Sequence, residues 1–191
     1  MEKHVSSISD AKHSLIRAVV AVPIAEAAAR ELESFLNTLK NKACLRWATQ
    51  AQFHITLRFL GEQTQEIIDQ VRGVLAHLSF SPFDIELSYV GAFPNMRCPR
   101  VLWLSGKQGM KELTALAESV NRSLAEIGLV PEKRAFKPHL TLARTNGMAL
   151  PAELIEALKN APTLLWRCDN VDLMRSNLTP HGAVYSKIPL S

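Results

Sequence analysis

The positions of apolar residues along the chain follow two periods. Apolar residues recur at helical spacing over four stretches, which predict helices at residues 24–40, 64–78, 111–127 and 151–160. Short β-rich runs lie between them and predict strands at residues 17–23, 53–60, 83–90, 100–104, 164–174 and 183–188. A further strand follows Pro138, and the runs 83–90 and 100–104 are placed to pair as a hairpin. The pattern predicts an α+β protein with mostly antiparallel sheets.

One short phrase occurs twice, each time in a predicted strand. Residues 54–57 read HITL and residues 139–142 read HLTL. Side chains alternate between the two faces of a strand, so each copy places one histidine and one threonine on the same face. A single histidine on a half-apolar strand is usually structural. A repeat kept only for packing, however, would have no reason to retain both polar residues.

The repeated polar residues suit one kind of chemistry. Cleavage of a phosphodiester without a metal needs an acid, a base and hydrogen-bond donors around one anion. Histidine serves as either acid or base because its ordinary pKa is about 6.5. We therefore predict His54 and His139 as catalytic residues, and Thr56 and Thr141 as donors to the phosphate oxygens.

Three residues just after the two phrases, Arg58, Phe59 and Arg144, are further candidates. Strict alternation places Arg58 on the face of His54, where it would reach phosphate, although a solvated arginine at a strand end explains it equally well. Phe59 falls on the core side by the same counting. Arg144 lies at an odd offset from His139, so ideal alternation points it away from the catalytic face.

Composition limits the environment in which the chain works. With 191 residues, 47% of them hydrophobic, it can bury a substantial core. We expect the polar segment 1–14 to be a disordered tail. No apolar run approaches the roughly 20 residues that span a bilayer, and three scattered cysteines indicate neither disulfides nor a zinc site. We expect a cytoplasmic monomer, whose net charge of +4 suits a polyanionic partner.

The two phrases and their flanks carry a resemblance. HITL is followed by RFLGE, HLTL stands within FKPHLTLAR, and GAFPNMRCPRVLW lies between them. This ordered set resembles the 2H phosphoesterase superfamily and, within it, the bacterial and archaeal RNA 2',3'-cyclic phosphodiesterases, historically called 2'-5' RNA ligases. The resemblance implies a bilobal 2H phosphoesterase fold with two pseudo-symmetric lobes around a central cleft. Residues 15–191 would then form a single bilobal domain.

The resemblance also implies an activity and the role of each residue. RNA 2',3'-cyclic phosphodiester ends, or nucleotides bearing them, would be hydrolysed to 2'-phosphomonoesters without a metal or another cofactor. His54 would protonate the departing 3'-oxygen and His139 would activate water. The family places a phosphate-binding arginine at Arg144, so the strand must twist or end before it, and it offers an aromatic ring at Phe59 for base stacking.

Other functions remain open at this point. A metal hydrolase would need carboxylates clustered with the histidines, and the two phrases contain none. A non-catalytic RNA- or nucleotide-binding module would use the same cleft, although intact histidines and threonines favour catalysis. ATP-independent 2'-5' joining of RNA ends is ring opening with a 5'-hydroxyl in place of water, and the same site would serve it.

Overall fold

The computed structural model describes residues 15–180 and 182–190. Within them the four predicted helices are present as α1 (Glu26–Leu39), α2 (Gln65–Ala76), α3 (Met110–Glu126) and α4 (Ala152–Leu158). Each helix buries part of its apolar stripe, and none of the four is long and apolar enough to cross a membrane. The predicted tail at residues 1–14 lies outside the described residues.

Two local signals fix helix ends as the sequence predicts. The Thr64 hydroxyl accepts a hydrogen bond from the Ile67 backbone N–H at 3.4 Å and caps α2. After α3, Gly128 has a φ of 86°, which glycine adopts without strain. The Leu129 N–H then returns to the Leu124 carbonyl at 3.1 Å. This stop fixes where the segment leading to the second phrase begins.

The strands that the structure describes are antiparallel in every pair. They are β1 (Ile16–Pro23), β2 (Arg46–Trp47), β3 (His54–Gln63), β4 (Phe83–Leu87), β5 (Tyr89–Phe93), β6 (Val101–Ser105), β7 (Leu140–Arg144), β8 (Leu164–Cys168), β9 (Asp172–Thr179) and β10 (Gly182–Ile188). One sheet has the order β10-β9-β1-β3-β7-β6-β5 with β2 beside β7, and β4 pairs with β8. The α+β prediction is confirmed.

Two predicted strands prove to be two strands each. The run 83–90 divides at Ser88, because β4 pairs with β8 whereas β5 pairs with β6. The predicted hairpin is therefore wrong for residues 83–87 and right for the rest. The run 164–174 divides between β8 and β9 in the same way. Apolar alternation continues through Ser88, so the pattern gives no sign of the change of partner.

The strands that carry the repeated phrases, β3 and β7, lie side by side in the middle of the large sheet. They are joined through the pair Ile55 and Leu140, both fully buried. The aliphatic half of each phrase therefore anchors its strand in the core. The polar half is left for the opposite face, as alternation predicts.

Candidate active site

Antiparallel pairing brings the two repeated phrases face to face. Because Ile55 and Leu140 are direct partners, counting outward along the strands sets each histidine across from the threonine of the other copy. A rotation of 180° about an axis between Ile55 and Leu140 relates the histidine and threonine of one copy to those of the other. The cleft they share has a volume of about 310 Å³, and its lining includes His54, Thr56, His139 and Thr141.

His54 is buried, and its ring meets the Tyr185 ring edge to face with centroids 4.5 Å apart. Its Nε2 atom lies 3.0 Å from the Thr56 hydroxyl oxygen. Burial lowers the pKa of His54 to about 4, opposed by a hydrogen bond to the Gln52 backbone and assisted by the charge of His139. The imidazole is therefore neutral at pH 7 in the free protein.

His139 is half-buried and has an analogous backbone partner. Its Nδ1 atom lies 2.6 Å from the Lys137 carbonyl oxygen. Because a carbonyl only accepts, Nδ1 carries the proton, and Nε2 is the nitrogen of the neutral ring that can accept one. Burial lowers the pKa of His139; the Lys137 hydrogen bond raises it, and the charges of Arg134 and Arg144 lower it.

A β-bulge in each motif strand changes which later residues face the cleft. In β3, residues 56 and 58 pair with adjacent residues of β1, which leaves Leu57 as an extra residue. In β7, residues 141 and 143 pair with adjacent residues of β6, which leaves Leu142 as an extra residue. Each bulge falls on the last residue of its phrase. Beyond it, the alternation of side chains is reversed.

The bulges bring Phe59 and Arg144 to the cleft, each the fifth residue after its histidine. Ideal alternation points Arg144 away, and the resemblance requires a break before it; the bulge at Leu142 is that break. Phe59 is 48% exposed, so its assignment to the core is wrong. The two residues occupy equivalent positions in the two halves of the site.

Arg58 does not line the cleft, and the prediction that it reaches phosphate is wrong. The bulge turns it to the other side, where it is only 6% exposed. Its Nη1 donates to the Asn121 side-chain oxygen at 2.7 Å, and its Nη2 donates to the Val130 carbonyl. Arg58 therefore joins β3 to α3 and to the segment that follows α3.

Several residues that the sequence analysis did not select also line the cleft. Arg46 lies in a two-residue strand and Arg134 in a loop, so neither has a periodic pattern that would reveal it. The Arg134 guanidinium lies 5.6 Å from the centre of the Phe93 ring, which itself meets the His139 ring edge to face at 5.0 Å. Tyr185 comes from β10, which is remote in sequence from both phrases.

The cleft is strongly cationic. Its charged lining, apart from the histidines, consists of Arg46, Arg134, Lys137, Arg144 and Glu132. Glu132 accepts a hydrogen bond from the Phe59 backbone N–H at 3.2 Å. Among the described residues, none of the four cations forms an ion pair, and no cluster of three or more His, Cys, Asp or Glu side chains is arranged to hold a metal ion. The site suits an anion.

Solved structures share this arrangement of the chain. A Thermus thermophilus structure is 28% identical, covers 91% of this chain and 95% of its own, and superposes with a TM-score of 0.73. Escherichia coli LigT complexed with 3'-AMP has a TM-score of 0.72 at 22% identity with the same coverage, a likeness of fold. The fold is thus the bilobal one of the 2H phosphoesterases, as predicted.

Sequence comparisons define the family. The model of the 2'-5' RNA ligase superfamily matches residues 24–180. The RNA 2',3'-cyclic phosphodiesterase of Aeropyrum pernix is 37% identical over 71% of this chain and 79% of its own. The Archaeoglobus fulgidus protein of the same name is 32% identical over 91% of this chain and 98% of its own. The chain therefore belongs to the 2'-5' RNA ligase superfamily.

Proposed function

We propose that this protein hydrolyses the 2',3'-cyclic phosphodiester at RNA ends to a 2'-phosphomonoester. The observation that carries the proposal is the pairing of two histidine–threonine pairs across one strand pair in a cationic cleft. Relatives named RNA 2',3'-cyclic phosphodiesterase support the choice of substrate. We also propose that the protein acts in the cytoplasm as a monomer, without a cofactor.

The proposed reaction moves one proton at each side of the phosphorus. His139 takes a proton from water as the water oxygen bonds to phosphorus. The bond between phosphorus and the 3'-oxygen breaks, and His54 gives its proton to that oxygen. The phosphate then remains on the 2'-oxygen. A 5'-hydroxyl in place of water would leave a 2'-5' linkage by the same proton transfers.

The phosphate oxygens need donors as charge builds on them. Thr56 and Thr141 each present a hydroxyl to the cleft, and Arg144 presents a guanidinium. Donors held in place by strands need little rearrangement when the charge develops, which favours the transition state. Phe59, exposed on the cleft wall, offers a ring face for base stacking.

Substrate binding supplies the charge that His54 needs in order to act as an acid. Burial lowers the pKa of both histidines, so both are neutral in the free protein at pH 7. A phosphodiester anion placed between them stabilises an imidazolium and raises the pKa of the adjacent ring. Because the imidazoles of His54 and His139 interact, the proton taken up on substrate binding is shared between the two histidines before the reaction begins.

The test is the product formed from a nucleoside 2',3'-cyclic phosphate and from a short RNA ending in one, in excess chelator. We expect the 2'-phosphomonoester from both. His54→Ala and His139→Ala should each lower turnover by roughly 100-fold or more. His77→Ala, at an exposed histidine outside the cleft, is the matched control and should leave turnover unchanged.

Three outcomes would contradict the proposal. A 3'-phosphomonoester would reverse the leaving oxygen. Activity that disappears in chelator and returns with a divalent ion would replace the two-histidine mechanism by a metal-dependent one. Tight binding of the cyclic phosphate without turnover would identify a binding module.

A further inference from the structure

Two arginines face each other at one end of the cleft. Strand β2 pairs antiparallel with β7, and Arg46 is the direct partner of Arg144. Directly opposed residues share a face of the sheet, with Cβ atoms about 5 Å apart. Both arginines line the cleft, and both are exposed.

This pair is unfavourable for the free protein. Like charges directly opposed on neighbouring strands destabilise a sheet. No carboxylate among the described residues lies within ion-pair distance of either guanidinium. An anion bound between or beside them removes the repulsion, so the pair indicates a binding site for phosphate.

A single cyclic phosphate does not account for all of this charge. The cyclic phosphate carries one negative charge, whereas four cations line the cleft. The carboxylate in the lining, Glu132, accepts a hydrogen bond from the Phe59 N–H. The cleft lining also extends beyond the two phrases. Phe59 and Arg144 lie four residues from the central strand pair in opposite directions. Arg46, beside Arg144, therefore lies towards one end of the cleft and away from the central strand pair.

We propose that Arg46, beside Arg144, binds the phosphodiester group next to the cyclic end of the RNA. The protein then selects oligonucleotide ends over nucleoside 2',3'-cyclic phosphates. This inference rests on the proposed hydrolysis. Arg144 contacts the reacting phosphate, and Arg46 determines specificity one phosphate further along the chain.

The experiment compares two substrates with the same terminal nucleotide: a nucleoside 2',3'-cyclic phosphate and a trinucleotide that ends in it. In the wild-type protein we expect the trinucleotide to have the higher kcat/KM. Arg46→Ala should lower kcat/KM for the trinucleotide roughly 10-fold, about the loss of one charged hydrogen bond, and change it less than about 2-fold for the nucleoside substrate. Arg122→Ala, an exposed arginine of α3 outside the cleft, should change neither.

A third substrate tests the contact itself. In a trinucleotide whose last internucleotide phosphate is a neutral methylphosphonate, the group that Arg46 would bind has no charge. We expect the wild-type protein to cleave it as slowly as Arg46→Ala cleaves the native trinucleotide, and Arg46→Ala to slow it no further. The salt dependence of kcat/KM for the native trinucleotide should also weaken in Arg46→Ala.

Two results would overturn the inference. Equal losses for the nucleoside and trinucleotide substrates in Arg46→Ala would mean that Arg46 serves the cyclic phosphate itself. Undiminished sensitivity of the methylphosphonate substrate to Arg46→Ala would mean that it acts elsewhere. If the wild-type protein cleaves neither native substrate, the proposed hydrolysis fails and not only the assignment of Arg46.

Discussion

The threonine hydroxyls are the smallest groups on which the proposed chemistry depends. Thr→Val keeps the shape and β-branching of the side chain and removes only the hydrogen bond. Because a hydrogen bond to a charged group contributes about 1.5 to 3 kcal/mol, we expect Thr56→Val and Thr141→Val each to lower kcat/KM by roughly 10- to 150-fold. Steady-state kinetics on a nucleoside 2',3'-cyclic phosphate measure this loss.

The half-buried Thr114 of α3 provides the control, because it lies outside the cleft and its hydroxyl bonds only to the Met110 carbonyl of its own helix. Thr114→Val should keep normal kcat/KM. If Thr56→Val and Thr141→Val also match the wild type, the repeated threonines serve only to form strands, and half of the proposed site is wrong.

At the scale of secondary-structure elements, the bulges at Leu57 and Leu142 determine which side-chain directions the sequence pattern predicts correctly. Alternation correctly paired each histidine with its threonine, because both precede the bulge. It failed for Arg58 and Phe59, which follow Leu57. A bulge adds one residue without changing composition or apolar spacing, so nothing local in the sequence announces it. The resemblance indicated a break before Arg144 because it supplied information that periodicity does not contain.

Arg58 connects β3 to the segment that follows α3, and this structural role is testable. It holds the Val130 carbonyl at the start of the segment that carries Glu132, Arg134 and Lys137 to the cleft. We expect Arg58→Met to release this segment, which raises KM and speeds tryptic cleavage after residues 133 and 134. Because Arg58 donates two hydrogen bonds from a charged group, its replacement should also lower the overall stability of the fold.

Mass spectrometry of the tryptic fragments and a thermal melt would measure these effects. Arg122→Met, one residue from the Asn121 partner of Arg58 but exposed, should change neither KM nor cleavage in the segment. A protected segment in Arg58→Met, combined with a loss of kcat, would return Arg58 to the role in phosphate binding that the sequence first indicated.

At the scale of the whole molecule, the helices and the class of fold follow from the sequence, whereas strand pairing does not. Helices depend on neighbours within a few residues, and the stripes of α1, α2 and α3 are nearly complete in the pattern. Pairing of β4 with β8, or of β1 with β9, depends on residues far away in the chain. The same reason explains why Tyr185 and Arg46 escaped selection: only the folded sheet brings them to the cleft.

Burial of the histidines links folding, pH and anion binding. The unfolded chain protonates its histidines near the ordinary pKa of 6.5, whereas burial lowers the pKa of His54 to about 4 in the folded protein. The unfolded state therefore binds more protons in this window. The stability that neutral His54 contributes is present above about pH 6.5 and is lost as the pH falls towards about 4.

A bound anion should oppose this loss. Sulfate keeps a constant charge between pH 5 and 8, and in the cleft it would raise the pKa of both histidines. We expect the rise in Tm on adding sulfate to be larger at pH 6 than at pH 8, because binding takes up a proton. The double variant His54→Asn, His139→Asn measures the general stabilising effect of sulfate and should lose the pH dependence. An equal rise at both pH values in the wild-type protein would uncouple the histidines from the anion.

The half turn that relates the two phrases bears on the direction of the reaction. A phosphate at the centre would lie beside a histidine and a threonine on either side, so the residue types at these positions do not distinguish a substrate from the same substrate turned around. Turning it would exchange acid and base. Phe59 and Arg144 occupy equivalent positions but differ in chemistry, because one is an aromatic ring and the other a cation. They therefore distinguish the two orientations of the substrate. If the proposed reaction is correct, we expect the residues five positions beyond each histidine to determine which histidine gives its proton and which takes one.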